Sequence, residues 1–327
     1  QSDLNTNRNA YSGNQNSEAT MTDPLELISF PGTGNLPFFA GSEKGLYEAR
    51  GVSVNLETTP SSMYQAQHLV AGKFQLACTA ADNVVAYQEG AGEVELDREP
   101  DLFMVMGATQ IEVAFVVRPE IETYEDVKGK TLALDALATG FAFALYRMLD
   151  NAGLTKDDYE MVSVGSTPSR WEAVQEGTHA GTLLIEPFTS MARAAGYRVL
   201  GTTMDFDEYP GQVFTASRAW AAANKATLLS FIQGHLDTLD WVLDPANKDE
   251  AAEILARNMP NMKPQAIGPA IGKLMDPRTG LIPGCKMDYP GLKMVLELRS
   301  QYAPQGTQLS DPDKYIDLSY YEEAVAG

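Results

Sequence analysis

One order of elements occurs twice in this chain. At an offset of 105 residues Leu27 meets Leu132, Ser61-Ser62 meets Ser166-Thr167, and Leu69-x-x-Gly72 meets Val174-x-x-Gly177. In each copy an extended stretch is followed by a small-residue turn, a helical stretch, a second extended stretch, a hydroxyl cap, a helix, a glycine and a third extended stretch. Asp82 and Glu186 mark the ends of the third stretches, one place out of step. Strands alternating with helices imply mostly parallel sheet with helical cover on both faces, so the doubled order implies two similarly built α/β lobes. A chain of 327 residues is also more naturally two compact units than one core.

In the first copy "LELISF" reads as a strand, "PGTGNLP" as a break, "FFAGSEKGLYEARG" as a helix and "VSVNLETT" as a strand. "SSMYQAQHLVAGK" follows as a helix with a serine cap, and "FQLACTA" is extended again. A long extended run over residues 105–120 leads into the second copy. There "TLALD" is a strand, and "GFAFALYRMLDNAG" is a helix with Phe141, Leu145, Met148, Leu149 and Ala152 on one face. "YEMVSVG", "TPSRWEAVQEG" and "AGTLLIEP" complete it as strand, helix and strand. From Val213 onward the chain reads as helical, with Pro245, Pro260 and Pro290 as breaks. This tail is expected to pack back on the first lobe after a second crossing near residues 205–215. The expected organisation is a disordered leader or tether over 1–24, a first lobe of 25–110 with 212–327, and a second lobe of 111–211. The leader assignment rests on the Asn, Ser and Thr richness of that segment.

Charge excludes whole classes of partner. Asp and Glu outnumber Lys and Arg by 44 to 24, a formal charge of −20, and no basic patch stands against that field. Nucleic acid and an acidic membrane surface are therefore not expected partners. No metal spacing occurs: His68, His179 and His235 are isolated, and there is no CxxC or HExxH. "PGTGNLP" is not GxGxxG, and neither GxxxxGK[ST] nor GxSxG is present, so no nucleotide cofactor or hydrolase elbow is expected. Cys78 and Cys285 are either two buried free thiols or a disulfide, and Cys78 within "FQLACTA" reads as a core thiol rather than a nucleophile.

In parallel α/β sheets the useful crevice lies at the carboxyl ends of the strands, where helices begin with unpaired backbone N–H groups. Four such ends are built from small and hydroxyl residues: Gly32, Thr33, Gly34 and Asn35 behind Pro31; Ser61-Ser62; Ala136 through Thr139 to Gly140; and Ser166-Thr167. Each alone is accounted for by helix capping; matched across two lobes they outline a cleft. Asp82 reads as a capping residue and Glu186 as a ligand-facing or hinge-facing one, with an amine as an alternative guest for the two carboxylates. Asp135 reads as a cap or a cross-loop acceptor. Arg170 either meets a carboxylate or anionic ligand or sits on an exposed turn. Tyr209 is one of several aromatic residues adjoining the cleft, and a bulky residue at Gly140 is expected to weaken binding without unfolding the protein.

Four segments carry a resemblance: "FPGTGNLPFFAGSEKGLYEARGVSVNLE", "AGKFQLACTAADNVVAY", "YEDVKGKTLALDALATGFAFALYRMLDNAG" and "VSVGSTPSRWEAVQEGTHAGTLLIEPF". Together, from about residue 25 to residue 210, they resemble the substrate-binding proteins of ABC importers. The branch they look like holds the nitrate, taurine and alkanesulfonate binders and the NMT1/THI5-like pyrimidine-precursor proteins. The resemblance implies a type II periplasmic-binding-protein fold, with two α/β lobes joined by two crossings and a ligand cleft between them. It places ligand loops at Gly32 to Leu36, Ser61-Ser62, Ala81-Asp82-Asn83, Ala136 to Gly140, Ser166 to Ser169 and Glu186-Pro187, with Arg170 the arginine among these motifs. The implied function is extracytoplasmic capture of a small organic anion or nitrogen heterocycle for a membrane permease. A periplasmic or cell-surface location with the signal peptide removed goes with it, as do no cofactor, no catalysis and no required homo-oligomer. The cysteine- and histidine-rich site of yeast-type pyrimidine synthases is absent. An enzyme on the same scaffold, acting on a small sulfur- or nitrogen-containing compound, and a ligand-sensing module are the alternatives.

Overall fold

A computed structural model describes residues 23–206 and 209–327; the expected leader lies, for residues 1–22, outside the described residues. In the first lobe β1 (Leu25–Ser29) leads into α1 (Leu36–Glu43), β2 (Val54–Thr58) into α2 (Ser62–Val70), and β3 (Leu76–Ala80) into α3 (Ala81–Gln88), followed by β4 (Leu102–Gly107). The second lobe starts with β5 (Ala114–Val117) and β6 (Thr131–Leu134) and continues through α4 (Gly140–Asn151) and β7 (Glu160–Ser163). It ends with α5 (Thr167–Gln175), β8 (Gly181–Leu184), α6 (Phe188–Ala194) and β9 (Arg198–Thr202). The chain then returns as β10 (Gln212–Ser217), α7 (Arg218–Ala223), α8 (Lys225–Leu243) and α9 (Lys248–Asn258), and closes with α10 (Pro264–Met275), α11 (Tyr289–Tyr302) and α12 (Ser319–Ala326).

The repeat in the sequence is a repeat in space. The sheets have orders β2-β1-β3-β10-β4 and β7-β6-β8-β5-β9, the same pattern twice. Helices α2 and α5 begin and end 105 residues apart, and Gly72 and Gly177 behind them take φ of +84° and +79°, where a glycine avoids the Cβ clash. Ser61 caps α2 by accepting from Tyr64 N–H at 3.1 Å.

The sheets are less uniformly parallel than the strand–helix alternation suggests. β10 runs antiparallel between β3 and β4, and β5 runs antiparallel between β8 and β9. Each is the strand by which the chain enters a lobe from the other, so the two crossings force the two reversals. They lie side by side, with Gln110 bridging Pro210. The helical reading from Val213 is corrected accordingly: Val213, Phe214, Thr215 and Ala216 are strand residues, buried on both faces of the first sheet. Their β-branched and aromatic content suits that slot, and the helical pattern proper starts at Arg218, where Ser217 caps α7.

The C-terminal helices cover the first sheet. Phe214 meets Phe38 and Phe231 edge-on at 5.9 and 5.4 Å, and His235 of α8 is enclosed by them with its Nδ1 2.8 Å from Tyr47 OH. Burial pulls the His235 imidazole down to about 3. Unfolding returns it to its usual 6.5, so between about pH 6.5 and 3 the unfolded chain takes up a proton that the folded one refuses. Stability contributed by neutral His235 is thus complete above that window and lost as pH falls through it. In urea titrations, His235→Gln should shed up to about 1.4 kcal/mol per pH unit of the wild-type slope there.

Candidate functional site

The carboxyl ends of the strands of both sheets face one another, and their loops touch. Ser62 N–H donates to Asp135 Oδ2 at 3.0 Å, Ser166 N–H to Pro60 O at 3.0 Å, and Thr33 N–H to Glu186 O at 3.4 Å. These contacts bring the lobes together around two adjoining cavities of about 40 Å³ each, which share Phe30, Ile111, Ile185 and Gln212 as wall. The first is completed by residues 32–35, Thr109, Glu112, Glu186 and Lys273. The second is completed by Ser62, Asn83, Asp135, Thr139, Gly140, Phe141, Thr167 and Arg170.

Arg170 is the decisive side chain of the second cavity. It projects from the first turn of α5 and is only 4% exposed. Its Nε donates to Thr182 Oγ1 at 3.2 Å, Nη1 to Gly165 O at 2.6 Å, and Nη2 to Thr167 Oγ1 at 3.2 Å and Leu183 O at 3.1 Å. All four acceptors are neutral. A guanidinium has five N–H donors, so one on Nη1 is left over. Burial draws this guanidinium down to about 10, with the charge of Asp135 acting the other way. A desolvated cation with neutral partners and a spare donor, set in a cavity lining, is chemically suited to an anion.

The two carboxylates that close the third strands are already engaged. Asp82 forms a bidentate pair with Arg299 of α11, at 2.6 and 2.7 Å, with both side chains almost fully buried. Arg299 Nη2 also donates to Ala138 O of the other lobe at 2.9 Å, while Ala138 N–H donates to Glu93, so the peptide groups on both sides of this residue are held. Glu186 pairs with Lys273 of α10 at 3.1 Å, and the same ammonium meets Glu112. Asp82 is therefore an ion-pair partner rather than a free cap, and neither carboxylate stands open for an amine.

Of the residues expected from sequence, Gly32, Thr33, Gly34, Asn35 and Glu186 line the first cavity, and Ser62, Asn83, Thr139, Gly140, Thr167 and Arg170 the second. Leu36, Ser61, Ala81, Asp82, Ala136, Ser166 and Tyr209 line neither. Leu36 and Ala81 are core, Ser61 and Ser166 precede their helices, and Ala136 is buried. Tyr209 lies in the second crossing and packs beside Phe141 and Phe206. Residues missed by the sequence reading include Phe30, Thr109, Ile111, Glu112, Ile185, Gln212 and Lys273. Most flank a recognised loop or lie in a crossing, a signal present in the apolar residues next to each turn; Lys273 had none.

Gly140 is tighter than expected. A Cβ there would lie 2.6 Å from Asp82 Cβ and 3.1 Å from Tyr209 OH. Gly140→Ala must therefore push α4 from α3, and calorimetry should show weaker binding together with a lower melting temperature, a loss of about 1–3 kcal/mol. To the expected loss of binding without unfolding, these contacts add a stability cost.

Cys78 and Cys285 are free and buried. Desolvation pushes the Cys78 thiol up to about 12, the reverse of what a nucleophilic thiolate needs. Among the described residues no group of three His, Cys, Asp or Glu is placed to hold a metal ion.

The model of the NMT1-like family matches residues 19–256, well over half of the chain. The chain belongs to the NMT1-like family. Three solved structures similar to this family member share its two-lobed architecture. The periplasmic nitrate-binding protein NrtA from Synechocystis PCC 6803 superposes with a TM-score of 0.77 at 14% identity, covering 93% of this chain and 88% of that one. The periplasmic aliphatic sulphonate-binding protein SsuA from Escherichia coli does so with a TM-score of 0.67 at 19% identity, covering 92% and 99%. The desulfurization enzyme DSZB does so with a TM-score of 0.65 at 16% identity, covering 92% and 99%. No curated protein matches the chain by sequence. The fold is the type II periplasmic-binding-protein fold.

Proposed function

We propose that this NMT1-like protein is the extracytoplasmic solute-binding component of an ABC importer, and that it closes on a small organic anion held by Arg170. The observation that carries this reading is a nearly fully buried guanidinium, bonded only to neutral acceptors, on the wall of an interlobe cavity. Phe30, Ile111, Phe141 and Ile185 around it favour an organic body over a bare inorganic ion. The solute contacts both lobes only when they are together, so it stabilises the closed form by its differential affinity, and a permease that recognises the closed form then receives loaded protein. The nitrate and sulphonate binders among the similar structures support an anion.

The desulfurization enzyme on the same fold makes catalysis the second reading. The raised, buried thiol of Cys78 weighs against a thiolate mechanism. A thermal-shift screen over sulfonates, aromatic acids, pyrimidines and amines, with product analysis of each mixture, tests both. Stabilisation by an acid without turnover is expected; turnover of a candidate without stabilisation by any would overturn the transport reading.

A further inference from the structure

The second cavity has two charged side chains in its lining, Arg170 and Asp135, and they are not paired with each other. Asp135 follows β6 and is half-buried. Both of its carboxylate oxygens turn to a single donor from the opposite lobe, Ser62 N–H, at 3.0 and 3.4 Å. A carboxylate has room for about four hydrogen bonds, so most of the acceptor capacity of Asp135 is unspent. The lining as a whole is electrically neutral. An anion bound at Arg170 alone would cancel the cation and leave Asp135 as an uncompensated like charge in the same cavity lining. An anion that also presents a donor turns the same carboxylate into a partner.

We infer that the solute is an acid that also carries an N–H group, its anionic end on Arg170 and its donor on Asp135. This rests on the anion reading above and narrows it. Organic anions and nitrogen compounds become one ligand class: small acids bearing an amine, amide or ring N–H. The two polar ends are joined by a compact apolar body against Phe30 and Phe141. Asp135 is a specificity-determining residue in this account, because Arg170 accepts any small acid and Asp135 separates those with a donor from those without.

The test is isothermal titration of the full protein with matched pairs: propionate and 3-aminopropionate, propane-1-sulfonate and 3-aminopropane-1-sulfonate, benzoate and 3-aminobenzoate. The N–H member of at least one pair should bind about tenfold tighter or more than its parent. Asp135→Asn, which keeps an acceptor for Ser62 N–H and whose fold is checked by circular dichroism, should shrink that ratio below about threefold. Parent acids that bind as tightly as their N–H partners in every pair would overturn the inference and leave the anion reading standing, as would a preference that survives in Asp135→Asn. If no member of any pair binds, the anion reading falls and this inference with it.

Discussion

Arg170→Gln should weaken the binding of organic anions by about 30- to 700-fold, the equivalent of about 2–4 kcal/mol. The size follows from the environment. In the folded protein the guanidinium is out of water and bonded to Gly165 O, Leu183 O and two threonine hydroxyls, none of which offsets its charge. An anion would supply a directly bonded countercharge, which Asp135 does not, through a charge-assisted bond to the remaining Nη1 donor. Glutamine keeps part of the hydrogen bonding and removes the charge. Arg170→Lys keeps the charge but not the fork that holds four acceptors at once, so it should bind more weakly than wild type and more tightly than Arg170→Gln. Titrations well below each variant's melting temperature separate the binding loss from the stability lost with the buried network.

The largest effect on stability should come from Asp82→Ala. It leaves Arg299 charged and almost fully buried, with a neutral carbonyl, Ala138 O, as its nearest remaining acceptor. Stranding one member of a buried pair costs about 3–5 kcal/mol, which for a chain of this length lowers the melting temperature by roughly 5 °C. Arg299 Nη1 is already buried without a partner, and the guanidinium lies 5.0 Å from the Phe143 ring, so the site suits an apolar replacement. The double variant Asp82→Leu with Arg299→Met should therefore recover most of the loss. It should not recover affinity, because Arg299 also holds the Ala138 peptide that precedes Thr139 and Gly140 in the cavity wall. A double variant that restored binding in full would show that this peptide has no part in presenting the loop.

What was legible in the chain was local. The 105-residue offset located both second helices, their terminal glycines and the Ser61 cap, though Ser166 makes no side-chain cap bond, because those features depend on a few neighbouring residues and on backbone sterics. β10 was illegible for a related reason. Six residues of strand, Gln212–Ser217, run directly into α7, and their strand character comes from a slot between β3 and β4, formed by residues far away in the chain. The site divides the same way. Arg170 was visible as a residue type at a helix start, but the sequence left it between a ligand contact and an exposed turn. Its burial depends on Thr182 and Leu183 of the neighbouring strand. The engagement of Asp82 and Glu186 by Arg299 and Lys273, from helices in the last quarter of the chain, carries no local signal at all.

The central claim is that the cavity between the lobes captures an organic anion through Arg170. Native mass spectrometry of wild type and Arg170→Gln, each incubated with the same panel of small organic acids, addresses it most directly. The account predicts a one-to-one adduct of at least one acid on wild type, and its loss on the folded variant. Adducts of equal abundance on both proteins, or on neither, would contradict it.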